Sequence, residues 1–101
     1  MKLYGRYLSP FVRRVGVTMQ TQGLSYDHDE LAVFEDWERA QAVNPVVRIP
    51  ALELDDGDVL IDSNFIIDHL DEAAGDKALI PASGKPRREV MKLVATAVGA
   101  M

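Results

Sequence analysis

Two short segments contain residues that could bind a small, charged peptide. Ile49-Pro50 opens an apolar run, and the bond before a proline is the one peptide bond whose cis form costs little. A cis bond there would turn the backbone N–H and C=O of Ile49 outward, where they could meet a ligand. Asp62-Ser63 adds a carboxylate and a hydroxyl at the predicted start of a helix. Together, the two segments predict a site that recognises a small peptide by its backbone and its charged ends.

The first half of the chain predicts a strand, a helix and a second strand. Residues 2–4 form a short first strand, and Ser9-Pro10 supplies the N-cap and first residue of the helix. One face of this helix is apolar at helical spacing: Val12, Val15, Gly16 and Met19. Gly23 would end the helix, and residues 25–30 would form a polar second strand. Such a βαβ unit is expected to be right-handed and parallel.

The second half predicts a helix, a hairpin and another helix. A helical run over 34–43 ends at Asn44-Pro45, and its aromatic residues are expected in the core or an interface: Phe34 and Trp37. Asp56-Gly57 indicates a hairpin between two strands. The helix from Ser63 to Gly75 has one apolar face: Ile66, Leu70 and Ala73. The order β-α-β-α-β-β-α predicts an α/β protein with a mixed four-stranded sheet flanked by helices, the thioredoxin-like arrangement.

The composition changes after these elements. Residues 76–85 resemble a linker, and from Pro86 an amphipathic pattern runs to Met101. A lone apolar helical face must bury against something. We therefore expect one domain at 1–80, followed at 81–101 by a linker and the first helix of an all-helical C-terminal domain, whose remainder is absent. Packing on a second copy and a frayed terminal helix are the alternatives.

Bulk composition excludes several classes of function. The chain has 101 residues and a net charge of −5, which argues against nucleic acid as a partner. Cysteine is absent and His28 and His69 stand alone, so we expect no disulfide and no metal site. No apolar stretch approaches the ~18 residues of a membrane span, and the N-terminus lacks a signal-peptide pattern. These features predict a cytoplasmic protein without a membrane partner.

Four segments, taken in order, resemble the N-terminal domain of the glutathione S-transferases: Leu3-Tyr4, Ser9 to Arg14, Asn44 to Leu52 and Asp62 to Leu70. The resemblance implies a glutathione transferase that binds glutathione, activates its thiolate for attack on an electrophilic small molecule and forms a homodimer. Isomerase or dehalogenase chemistry with glutathione stays open. A non-catalytic module of the same fold, holding a protein partner, is the alternative.

The resemblance also implies roles for individual residues that bind glutathione. Ile49, beside a cis Pro50, would pair through its backbone with the cysteinyl part, and Arg48 could meet the glycyl carboxylate. Asp62 and Ser63 would hold the γ-glutamyl end.

Two residues compete for the role of hydroxyl donor to the thiolate. Ser9 lies where serine-type members place their donor, and Tyr7 lies slightly upstream, where tyrosine-type members place theirs. The order Ser9-Pro10-Phe11 favours Ser9. Relatives with cysteine at this position do thiol–disulfide chemistry, which Ser9 does not predict. The adjacent Arg13 and Arg14 are expected on a solvated helix face.

Overall fold

A computed structural model describes all residues from Met1 to Met101. The strands are β1 (Lys2–Tyr4), β2 (Asp27–Asp29), β3 (Ala51–Glu53) and β4 (Val59–Ile61). The helices are α1 (Pro10–Thr21), α2 (Trp37–Val43), α3 (Ser63–Ala74) and α4 (Gly84–Gly99), with a 3₁₀ turn at Gly75–Lys77. The sheet order is β2-β1-β3-β4, in which β1 and β2 are parallel and β3 is antiparallel to both of its neighbours. The predicted mixed sheet and element order are confirmed.

The register of the sheet brings three connections to one end. Tyr4 pairs with Ala51, and Ala51 pairs with Ile61. The residues that follow Tyr4, precede Ala51 and follow Ile61 therefore leave the sheet side by side. These residues are the loop before α1, the Ile49-Pro50 segment and the start of α3.

Helices α1 and α3 cover one face of the sheet. The core on this side consists of nine buried side chains: Leu3, Val12, Val15, Met19, Leu52, Leu60, Ile66, Ile67 and Leu70. The apolar face predicted for α1 is buried as expected. In α3, Ile67 is buried and Ala73 is exposed. The reason is length, because a twelve-residue helix spans about 18 Å whereas these three-residue strands span about 10 Å.

The opposite face is covered by α2 and the loop before it. Its core is smaller: Tyr4, Leu31, Ala40 and Ala51. Helix α2 begins at Trp37, later than predicted, because Asp36 forms a local turn in which its Oδ2 accepts from the Ala32 N–H at 3.1 Å. Phe34 is consequently 97% exposed and Trp37 50% exposed. These aromatic residues therefore lie outside the core, and their place in an interface stays a prediction.

Helix α4 has a different relation to the rest of the chain. It begins at Gly84, slightly before the predicted Pro86, and none of its residues is buried. Leu93, on its predicted apolar face, is 72% exposed. None of the helices has both the length and the apolar character needed to span a membrane.

Candidate functional site

The Ile49-Pro50 segment presents an unpaired backbone next to the sheet. The bond is cis, as the sequence predicted, and Pro50 is buried. Buried Asn44 holds the preceding turn: its Nδ2 donates to the Arg48 carbonyl at 3.2 Å and its Oδ1 accepts from the Val46 N–H at 3.0 Å. No hydrogen bond within the protein engages the backbone N–H or C=O of Ile49. Both groups can therefore pair with a ligand.

Ser9 caps α1 and keeps its hydroxyl proton free. Its Oγ accepts from the backbone N–H groups of Phe11 at 3.2 Å and Val12 at 3.4 Å. No acceptor within the protein takes the hydroxyl hydrogen. A donor is therefore available beside a helix N-terminus, where the partial positive charge favours an anion.

Ser9 and Ile49 share one cleft of about 570 Å³. The cleft runs between the loop before α1 and the loop before α2, and its lining is mainly apolar: Arg6, Leu8, Ser9, Leu31, Ala32, Val33, Phe34, Val47, Arg48 and Ile49. Two arginines and no carboxylates line it, but Arg6 is ion-paired with Glu35 at 2.8 Å, so Arg48 is the lining cation that has no carboxylate partner. The cleft therefore favours an anionic ligand.

Asp62 and Ser63 occupy the start of α3 at the same end of the sheet. Asp62 is exposed and its Oδ1 accepts from the Asn64 N–H at 2.8 Å, so Asp62 caps the helix and Ser63 is its first residue. Asp62 has a φ of 73° and Val47, in the cleft, has a φ of 56°. No other non-glycine residue has a positive φ. Such backbone conformations cost energy and are concentrated at functional sites.

Arg14 joins α1 to the start of α3. One guanidinium nitrogen donates to Ser63 Oγ at 3.2 Å and to Asn64 Oδ1 at 2.7 Å. Burial lowers the pKa of Arg14, and the negative charge of Asp62 opposes that shift. The expectation of a solvated Arg14 is therefore wrong. No local pattern could have found it, because its partners lie about fifty positions away in the sequence.

Tyr7 does not line the cleft. Its hydroxyl lies 2.6 Å from the hydroxyl of Tyr26, and its ring stacks on His28 with 4.2 Å between the ring centroids. Burial and the hydrogen bond with Tyr26 raise the pKa of Tyr7 to about 12. The structure thus brings Ser9, Arg48 and Ile49 together and leaves the Tyr7 hydroxyl engaged elsewhere. No group of three or more His, Asp or Glu side chains is arranged to hold a metal ion.

Comparison with known proteins identifies the family. Residues 3–78 match the family described as glutathione S-transferase, N-terminal domain. Maleylacetoacetate isomerase of Pseudomonas aeruginosa is 38% identical, and the alignment covers 98% of this chain and 49% of that protein. The chain therefore belongs to the glutathione S-transferase family and spans about half the length of the curated relatives it matches.

Solved structures support the same assignment. A glutathione transferase family member from Pseudomonas fluorescens, with bound glutathione, has a TM-score of 0.78 and 34% identity, over 97% of this chain and 50% of that one. Maleyl pyruvate isomerase, a bacterial protein of the Zeta class, has a TM-score of 0.82 and 31% identity, over 94% and 46% of the respective chains. The thioredoxin-like fold of this family is the fold that the sequence predicted.

Proposed function

We propose that this chain binds glutathione and that Ser9 stabilises its thiolate for attack on an electrophilic small molecule. One observation carries the proposal: the sheet register gathers the free hydroxyl of Ser9, the unpaired backbone of Ile49 and the Asp62-Ser63 pair at one end. The glutathione bound in a solved relative supports the same ligand class.

The two ends of glutathione need opposite charges around them. The γ-glutamyl amino group suits the exposed carboxylate of Asp62, and the adjacent α-carboxylate suits Ser63 and the N-terminus of α3. Arg14 orients the Ser63 hydroxyl and adds positive charge there. Arg48, on the wall of the cleft, suits the glycyl carboxylate, and the backbone of Ile49 suits the cysteinyl amide.

Ser9 has a defined energetic task. A free thiol has a pKa near 8.5, so it is mostly protonated at neutral pH. Lowering that pKa by about two units takes roughly 2.7 kcal/mol of preferential stabilisation of the thiolate. A hydroxyl donor at a helix N-terminus can supply part of this energy, because both the proton and the helix dipole favour the anion.

Calorimetric titration with glutathione tests the binding proposal. We expect Asp62→Ala and Ser63→Ala to weaken binding about fivefold or more, since each removes a polar contact worth about 1–3 kcal/mol. Asp58→Ala and Ser25→Ala are matched controls, because both residues are exposed and flank the opposite end of the sheet. Absence of binding heat, together with no thermal stabilisation at millimolar glutathione, would refute the proposal and favour a non-catalytic module that holds a protein partner.

The thiol pKa of bound glutathione tests the role of Ser9. The thiolate absorbs in the ultraviolet, so a pH titration of the complex reports its pKa directly. We expect Ser9→Ala to raise that pKa toward the value of free glutathione while leaving most of the affinity intact. An unchanged pKa would assign the donor role to another group.

Isomerisation is a second candidate reaction, favoured by the names of two relatives, maleylacetoacetate isomerase and maleyl pyruvate isomerase. A thiolate that adds to a conjugated double bond allows rotation about the resulting single bond, and its elimination restores the double bond and the thiolate. Glutathione is then regained, whereas conjugation consumes it. Measuring free thiol during turnover of maleylpyruvate and of an aromatic chloride therefore distinguishes the two reactions.

We also propose the domain organisation that the resemblance implies, with the glutathione-binding domain at 1–80 and a linker and helix start at 81–101. The exposed face of α4 supports this division, because an apolar helix face is normally covered in the complete protein. A homodimer is part of the same proposal. Sedimentation equilibrium measures the assembly, and a monomer at all concentrations would contradict it for this chain.

A further inference from the structure

We infer that Tyr7 is a positioning residue, inserted into a slot formed by Gly16 and His28, and that this slot fixes the loop carrying Ser9. The consequence for catalysis rests on the proposed function of Ser9. The anchoring itself stands on contacts within the protein.

Gly16 provides the space for the tyrosine ring. A Cβ at position 16 would lie 2.7 Å from Cε1 of Tyr7 and 3.1 Å from its hydroxyl oxygen. Real Cβ atoms essentially never come within 3.0 Å of such a neighbour, so any larger residue at this helical position displaces the ring. The glycine is therefore explained by the ring, since the middle of a helix otherwise disfavours glycine by about 1 kcal/mol relative to alanine.

His28 of β2 holds the same loop from the sheet. Its ring stacks on Tyr7 at an interplanar angle of 29°, and its Nε2 lies 2.5 Å from the Gly5 carbonyl oxygen. Because a carbonyl oxygen can only accept, Nε2 is the donor of this hydrogen bond. The Gly5 N–H donates to the Asp29 carbonyl at 2.9 Å. Both backbone polar groups of Gly5 are thus tied to β2.

The tied loop is in contact with the proposed ligand site. A Cβ on Gly5 would lie 3.5 Å from the Ile49 Cβ, so the loop lies against the residue whose backbone is free. The Tyr7 carbonyl accepts from Arg13 at 3.1 Å, and the Ser9 N–H donates to the Arg6 carbonyl at 3.1 Å. Each of these bonds limits where the Ser9 hydroxyl can point.

The hydroxyl of Tyr7 is occupied within the slot. It pairs with Tyr26, whose oxygen also accepts from Gln20 Nε2 at 3.1 Å. The raised pKa of Tyr7 agrees with a hydroxyl that stays protonated in this environment. Tyr7 therefore acts through its ring and the loop backbone, while the thiol donor is Ser9.

The variant Gly16→Ala tests the slot. Gly99→Ala is its matched control, because Gly99 is also helical and nothing lies within 4 Å of a Cβ at that position. We expect Gly16→Ala to speed amide hydrogen exchange at Phe11 and Val12, the donors to Ser9, by about tenfold. We expect the thiolate fraction of bound glutathione to fall by a similar factor. Unchanged exchange at both amides would overturn the anchor, whether or not glutathione binds.

Three further variants separate the ring, the donor and the hydroxyl. His28→Gln keeps a donor near the position of Nε2 but loses the stacked ring, and His28→Phe keeps a ring but loses the donor. Each variant should therefore speed exchange at Phe11, by less than Gly16→Ala does. Tyr7→Phe should leave the bound thiol pKa unchanged. If Tyr7→Phe raised the pKa of the bound thiol as much as Ser9→Ala does, Tyr7 would be the donor and the inference would be wrong. If the unmodified chain binds no glutathione, the proposed function fails while the exchange data still decide the anchor.

Discussion

Helices α1 and α4 have similar amphipathic sequences but different environments. Helix α1 has twelve residues and buries five of them, while α4 has sixteen and buries none. Helix α3, also twelve residues long, resembles α1 and buries four. Periodicity therefore shows which face of a helix is apolar, but a partner is needed before that face contributes to stability.

The N-termini of the packed helices α1 and α3 also differ from that of α4, in their capping. Ser9 and Asp62 each accept a backbone N–H at the start of α1 and α3, whereas Ser83 makes no capping hydrogen bond at the start of α4. The two capped helices are also the two that start at the end of the sheet where the candidate site lies. Packing and capping together fix the direction of Ser9 and Asp62, which is what a binding site requires.

We expect the packed helices and α4 to differ most in how much stability is lost when an apolar side chain is truncated. Ile66 of α3 is fully buried and Leu93 of α4 is 72% exposed. We expect Ile66→Ala to lower the free energy of unfolding by about 2–5 kcal/mol, because it leaves a cavity between α1, α3 and the sheet. Leu93→Ala should change it by less than about 0.5 kcal/mol. Urea unfolding followed by circular dichroism measures both.

A large loss in Leu93→Ala would contradict this contrast. It would show that α4 is covered in solution, for example by a second copy of the chain. Repeating the urea unfolding over a range of protein concentrations would identify a second copy as the cover, because stabilisation by association depends on protein concentration.

Asp71 of α3 connects the packed region to the segment that leads to α4, so it gives a second test of the difference between them. Its carboxylate accepts from Gln22 Nε2 at 2.8 Å and from the backbone N–H groups of Leu79 and Ile80, both at 2.9 Å. We expect Asp71→Ala to cost about 1–3 kcal/mol, since it leaves the buried Gln22 amide without its partner.

The matched control for Asp71 is Glu72→Ala, because Glu72 is an exposed neighbour in α3 whose side chain makes no hydrogen bond. Amide hydrogen exchange gives a second measurement, with faster exchange expected at Leu79 and Ile80 only in Asp71→Ala. Equal stability of the two variants would show that the connection to α4 is held by something other than this carboxylate.

The sequence predicted the features that depend on local signals. Asp56-Gly57 fixed the hairpin, Ser9-Pro10 marked the start of α1, and the prolyl bond at Ile49-Pro50 is cis as expected. Each of these features depends on residues close together in the chain, where backbone propensity and capping are decisive.

The sequence did not predict features that depend on distant partners. Arg14 meets Ser63 only because α1 and α3 pack side by side. The ring of Tyr7 lies against Gly16 and His28, and neither contact has a local pattern. The predicted helix over 34–43 starts only at Trp37, because the side chain of Asp36 forms a local turn, and Phe34 consequently lies outside the core.

The smallest expected effect compares two serines in equivalent positions. Ser9 and Ser83 both precede a helix in extended backbone conformations, but only Ser9 accepts backbone N–H groups. We expect Ser9→Ala to cost about 1 kcal/mol of unfolding free energy and Ser83→Ala to cost nearly nothing. Chemical denaturation in the absence of glutathione measures the cap alone.

A second variant at position 9, Ser9→Gly, then separates the contribution of Ser9 to stability from its contribution to function. Ser9→Gly keeps a good N-cap residue, which differs from serine by only a few tenths of a kcal/mol, but removes the hydroxyl. If Ser9 is both cap and thiol donor, Ser9→Gly recovers most of the lost stability while the bound thiol pKa stays as high as in Ser9→Ala. If Ser9→Gly restored both the unfolding free energy and the low thiol pKa, Ser9 would act on the thiolate only by holding α1 in place. If Ser9→Ala changed neither quantity, the distinction between the starts of α1 and α4 would be lost.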